Sequence, residues 1–177
     1  MNFYNLKFKI MKKITLILAF IGLITLSSCT RQEDDIDNDT ISTVFEYTNV
    51  NFVAPSYGVF LTFPRPIFSS DMVLIYRLSA VDQGEDVWKL VPETFYFPDG
   101  TLDFAYNFDF TRFDSNVYLT GNELESVSNN FRLNQVLRVV VIAAGFGNRS
   151  SELQSMKYED VIKRYNIDDT QMTSIKL

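Results

Sequence analysis

From Ile41 to the C-terminus the hydrophobic positions recur with a period of two, the spacing of strands that bury one face. The clearest stretch is Leu102 to Phe110, where Leu102, Phe104, Tyr106, Phe108 and Phe110 alternate with Asp103, Ala105, Asn107 and Asp109. One side is wholly apolar and the other mostly polar, as in an antiparallel strand with one solvated face. Ahead of it, Thr94 to Phe97 is a second strand-like segment, joined through Pro98-Asp99-Gly100. Asp-Gly between two such segments predicts a hairpin.

The remaining segments read in the same way. Val44 to Val50 and Tyr57 to Phe63 mix β-branched and aromatic residues, and Pro64-Arg65-Pro66 stops the second. Met72 to Val81 is a nearly continuous apolar run broken by Arg77, the pattern of a buried strand. A turn at Gln83-Gly84-Glu85-Asp86 leads to Val87 to Val91, which ends at Pro92. Val117 to Leu119 is a short strand, and Gly121 to Asn130 is a polar loop with room for a helical turn. Gln135 to Ala144 is the most apolar run after Ile41 and predicts a central strand. Met156, Tyr158, Val161, Ile162 and Tyr165 instead lie at helical spacing, with Asn166 as the stop. Met172 to Leu177 adds an edge strand. The whole predicts an all-β fold, an antiparallel β-sandwich of Ig-like or jelly-roll type with one short C-terminal helix. A small barrel is the alternative. Residues 42–177 form one domain in this reading.

The N-terminal segment follows another logic. Lys12-Lys13 precedes a predominantly apolar stretch of 13 residues, Ile14 to Leu26. A membrane-spanning helix needs about 20, whereas a signal peptide needs about half that length. The run closes in Leu26-Ser27-Ser28-Cys29, and small residues before a cysteine suit a protease that must admit a narrow extended backbone. Thr30 to Thr40 then carries five acidic residues and no core pattern, the composition of an extended tether.

These features resemble the lipobox of bacterial lipoproteins. The resemblance implies a signal peptide over residues 1–28, cleavage between Ser28 and Cys29, and a diacylglyceryl thioether on Cys29. Residues 29–41 become the tether, and the lipid bilayer becomes a partner through the acylated Cys29. Two or three acyl chains anchor stably where one is marginal. The acidic cluster resembles the surface-export signal of Bacteroidetes lipoproteins, which implies the outer face of the outer membrane, with the periplasmic face as the alternative. Together with Val73-Leu74-Ile75-Tyr76-Arg77-Leu78, Asp86-Val87-Trp88-Lys89-Leu90 and Tyr106-Asn107-Phe108-Asp109-Phe110-Thr111, they resemble small lipoproteins of Bacteroidetes, flavobacteria among them. That likeness implies an address and no activity.

Composition narrows the chemistry. The chain has no histidine and one cysteine, which removes His-based nucleophile systems, His zinc sites, disulfides and paired-cysteine redox motifs. Four of the 16 basic residues precede Cys29, leaving 12 against 22 acidic ones, a net of −10. A nucleic-acid partner would need a basic patch, and anionic headgroups would repel such a surface. No cofactor is expected; Gly145-Phe146-Gly147 lacks the later glycine and the helix of a dinucleotide loop.

What remains is carboxylates and aromatics. Asp103 and Asp109 share a strand face but stand about 20 Å apart at strand rise, beyond the roughly 5–10 Å of a glycosidase pair. Glu93 opposite Asp103 across the hairpin is the arrangement that a small carboxylate-dependent hydrolase of glycans would use. Asp35, Asp37, Asp39 and Glu46 fall at positions 1, 3, 5 and 12 of a calcium loop. Thr40 stands where that loop turns on Gly, so Glu46 reads first as an outward strand residue. The aromatic stripe of 102–110 reads as core before it reads as a sugar platform. Trp88, after the Gly84-Glu85-Asp86 turn, is the single best ligand contact, although burial is the commoner fate of such a residue. The expected function is a lipid-anchored, non-catalytic binding or structural module, partnered by a glycan or an envelope protein. A subunit of an outer-membrane assembly is a further alternative.

Overall fold

The alternating pattern builds two sheets packed face to face. The computed structural model describes residues 41–144 and 155–177, all within one compact unit, Asn38–Leu177. Ser28, Cys29, Asp35, Asp37, Asp39 and Gly145-Phe146-Gly147 lie outside the described residues.

Nine strands are described: β1 (Thr43–Val50), β2 (Gly58–Thr62), β3 (Met72–Asp82), β4 (Glu85–Val91), β5 (Glu93–Tyr96), β6 (Leu102–Phe110), β7 (Asp114–Gly121), β8 (Gln135–Ile142) and β9 (Thr173–Lys176). A five-stranded sheet has the order β4-β3-β8-β1-β9 and a four-stranded sheet the order β2-β7-β6-β5. All pairings are antiparallel except β1 with β9. The chain is therefore an all-β sandwich with a short C-terminal helix. Between β7 and β8 lies a short helix, α1 (Asn129–Arg132), and before β9 comes α2 (Tyr158–Arg164).

Two cores explain the two kinds of strand pattern. Between the sheets, Phe45, Tyr47, Ile75, Leu137 and Val139 meet Leu61, Phe104, Tyr106, Val117 and Leu119. On the outer side of the five-stranded sheet, Val44, Leu74, Tyr76, Val140 and Ile142 lie under Tyr158, Val161 and Tyr165 of the C-terminal segment. Strands β3 and β8 are thus covered on both faces, which is why their runs are nearly continuous in the sequence. Among the described residues the outer side of the four-stranded sheet has no such cover, and its strands alternate.

Local signals hold where the side chain does the folding work. The Pro98-Asp99-Gly100 turn closes with Gly100 at φ 86° and the Asp99 carboxylate accepting from the Thr101 amide and hydroxyl at 2.9 and 2.7 Å. Those hydrogen bonds hold the Asp99 carboxyl below the usual carboxylate range. Helix α2 stops as read. Asn166 takes φ 49°, its amide donates to Lys163 O at 3.4 Å, and Ile167 N donates to Ile162 O at 3.0 Å. That is a Schellman end, and Ile162 and Ile167 both belong to the apolar cluster there. The expectation of a three-residue strand at Val117–Leu119 falls short, because β7 has eight residues. Its outward Asp114, Asn116 and Thr120 hide the inward Ser115, Val117 and Leu119 from a hydrophobicity count.

Candidate functional site

The face left uncovered among the described residues belongs to β2, β7 and β6. Val59 and Leu61 point into the core, so Phe60 between them must point out; it is 64% exposed. Register places Phe60 opposite Asn116, and Asn116 opposite Asp109, in one row across three strands. The next row is Gly58, Tyr118 and Asn107. Because Gly58 has no side chain, a shallow groove of about 310 Å³ opens there, lined by Ser56, Gly58, Phe60, Asp109, Asn116 and Tyr118.

The start of β2 is held firmly, and this fixes the row. Tyr57 N donates to Val53 O at 2.9 Å, and Tyr57 O accepts from Leu119 N at 3.0 Å. Tyr57 itself sits at φ 47°, in the left-handed region that a bulky residue seldom adopts. The Arg132 guanidinium lies 5.8 Å from its ring centre. Within the groove, Ser56 Oγ accepts from Gly58 N at 3.3 Å, and Asn107 Nδ2 donates to Thr120 Oγ1 at 2.8 Å beside it. Among the described residues, the amide of Asn116 and the carboxylate of Asp109 engage no partner and no basic residue lines the groove. The face thus offers an apolar ring beside an amide and a carboxylate that are free to hydrogen-bond.

Trp88 lies elsewhere, on β4 at the outer side of the five-stranded sheet. It borders a cleft of about 460 Å³ with Tyr76, Asp86, Lys89, Met156 and Glu159. Although that cleft is the larger, its aromatic residues are already committed. The Arg138 guanidinium sits 4.1 Å from the Trp88 ring centre and 4.9 Å from that of Tyr158, and the two rings are 5.7 Å apart. Trp88 is half-buried, and its contacts belong to the second core.

Glu46 belongs to the same cluster. Arg138 Nε donates to its Oε2 at 3.0 Å, and Asp86 Oδ2 stands 3.9 Å from Arg138 Nη2. Its carboxylate therefore faces a guanidinium, while Asp35, Asp37 and Asp39 of the calcium reading lie outside the described residues. Among the described residues no group of three or more His, Cys, Asp or Glu can hold a metal ion.

The hairpin does not bring Glu93 to Asp103. Glu93 stands opposite Tyr106, and a register irregularity between Phe95 and Tyr96 leaves Asp103 unmatched. Glu93 Oε2 instead accepts from Arg77 Nε at 3.0 Å and Nη2 at 2.9 Å, which bridges the two sheets. Arg77 is buried, and its guanidinium lies 4.9 to 6.0 Å from the ring centres of Tyr106, Phe95 and Phe131. Gln135 Oε1 accepts a further bond from it at 3.4 Å.

Of the aromatic stripe, Phe104 and Tyr106 are core, Phe108 is partly buried, and Leu102 and Phe110 are exposed at the strand ends. The exposed ring of the groove is Phe60, which the sequence-based expectations above leave out. The signal was its phase: it shares a face with Gly58 and Thr62, opposite Val59, Leu61 and Phe63. No protein-family model, curated protein or solved structure matches this chain.

Proposed function

We propose that this chain is a lipid-anchored envelope protein whose sandwich is a non-catalytic glycan-binding module. Its ligand face is the outer side of the four-stranded sheet. The observation that carries the reading is Phe60, 64% exposed, in one register row with the unengaged Asn116 and Asp109. A pyranose has an apolar C–H face and a rim of hydroxyls. An exposed ring takes the first, and an amide beside a carboxylate takes the second. Binding without hydrolysis fits the carboxylates: Glu93 is held by Arg77, and Asp103 and Asp109 stand about 20 Å apart along one strand. The anchor rests on Leu26-Ser27-Ser28-Cys29 and the acidic tether.

Binding to a panel of soluble polysaccharides, with the full chain in detergent, tests the module. Saturable binding that falls at least tenfold in Phe60→Ala, at an unchanged unfolding midpoint, supports it. Absence of saturable binding across the panel removes it. For the anchor, metabolic palmitate labelling of wild type and Cys29→Ala decides, and equal label in both sinks it.

A further inference from the structure

We propose that the Phe60 groove selects neutral glycans over uronate- or sulfate-bearing ones, with Asp109 as the selecting residue; the inference rests on the glycan-binding reading above. The groove is rich in acceptors. A carboxylate at Asp109 accepts only, and the hydroxyls of a neutral sugar supply the donors it needs. The Asn116 amide supplies both donors and an acceptor. Among the described residues no basic side chain lines the groove to neutralise an anionic ligand. A uronate or sulfate seated there would face Asp109 at short range with water partly displaced, where like charges repel most.

The row sets the length of ligand that senses Asp109. Neighbouring strands lie about 4.8 Å apart, so Asp109 stands about 10 Å from Phe60, with Asn116 between. A single ring stacked on Phe60 reaches Asn116. A second ring is needed to reach Asp109. The selecting residue therefore acts on oligosaccharides and leaves monosaccharides nearly untouched.

The test measures binding of the full chain, in detergent and at low salt, to two groups of soluble polysaccharide. A glucan, a mannan and a galactan form the neutral group; polygalacturonate and a sulfated galactan form the anionic group. The wild type is expected to bind at least one neutral polymer ten times more tightly than either anionic one. Asp109→Asn, isosteric and exposed, should close that gap at least threefold. Asp82→Asn, at the β3–β4 hairpin of the other sheet, controls for net charge and should leave the gap in place. Equal binding of both groups by the wild type overturns the selectivity while leaving glycan binding intact. So does a gap that Asp109→Asn leaves unchanged, or that Asp82→Asn closes as well. Binding that survives Phe60→Ala moves the site elsewhere and overturns both readings.

Discussion

The Arg138 guanidinium lies 4.1 Å from the centre of the Trp88 ring, with Glu46 Oε2 3.0 Å from Arg138 Nε. One cation thus joins β8, β4 and β1 beneath the C-terminal segment, and the single tryptophan of the chain reports on it. Arg138→Ala removes the stacking and leaves the Glu46 carboxylate, only 17% exposed, without its cation. The expected cost is about 2–4 kcal/mol. Urea unfolding followed by Trp88 fluorescence measures it, and Arg138→Met with Glu46→Leu should recover at least half. A midpoint that stays at the wild-type value in Arg138→Ala removes this account.

Arg77 and Glu93 tie the two sheets, and their removal should be asymmetric. Glu93→Gln leaves a charged Arg77 that is 4% exposed among three aromatic rings. The expected loss is about 2–4 kcal/mol, at the low side for a buried pair because the Glu93 side chain keeps 18% exposure. Replacing both residues, as Arg77→Met with Glu93→Leu, should cost less than Glu93→Gln alone. A double variant less stable than the single one by chemical denaturation would contradict this.

These two arginines show where the sequence is legible and where it stops. Strand periodicity names β6 to the residue, because apolar and mostly polar residues alternate without a break from Leu102 to Phe110. It predicts the buried middle strands from continuous runs, since β3 and β8 lie between two cores. Arg77 and Arg138 interrupt those runs, yet period alone does not say which carboxylate each meets. Glu46 lies 92 positions from Arg138 along the chain. Such pairings depend on strand order, and strand order depends on which edges find each other in three dimensions. Phe60 was legible in its phase but not in its neighbours, because Asn116 and Asp109 join it only through the register of β2, β7 and β6.

Two glycines on the four-stranded sheet should tolerate a side chain differently. A Cβ added at Gly121 would stand 2.7 Å from the Asp103 carbonyl oxygen, a backbone atom of the paired strand. Gly121→Ala should therefore shift β7 against β6 and destabilise by about 1–3 kcal/mol. At Gly58 the nearest atoms are Asn116 Oδ1 and Tyr118 Cβ, both at an ordinary 3.4 Å. Gly58→Ala should leave the unfolding midpoint within about 0.5 kcal/mol while narrowing the groove beside Phe60. Thermal melts of both variants, with polysaccharide binding by Gly58→Ala, check the contrast. A stable Gly121→Ala, or a Gly58→Ala that binds as wild type, counts against it.

The buried tyrosines make the fold sensitive to alkali. Burial pushes the Tyr47 phenol up to about 12, and it raises those of Tyr76, Tyr106 and Tyr158 further above the ordinary value. The charges of Glu159 and Asp160 add to the rise at Tyr76, and the hydrogen bond to Asp169 adds to it at Tyr158. Each is neutral when protonated, so a raised folded value means that the native state holds its proton more tightly than the unfolded chain. That stability is fully present below the unfolded value of about 10. It is lost as the pH rises through the folded values, because the unfolded chain releases protons first. Phenolate absorbance should show these four rings ionising together with unfolding, and the urea midpoint should fall steeply above about pH 10. Tyr47→Phe, which also gives up the 2.7 Å hydrogen bond from the phenol to Thr62 O, should lower the midpoint at neutral pH and soften the alkaline slope. Four phenols that ionise at the ordinary value while near-ultraviolet dichroism still reports native packing would show that burial does not protect them.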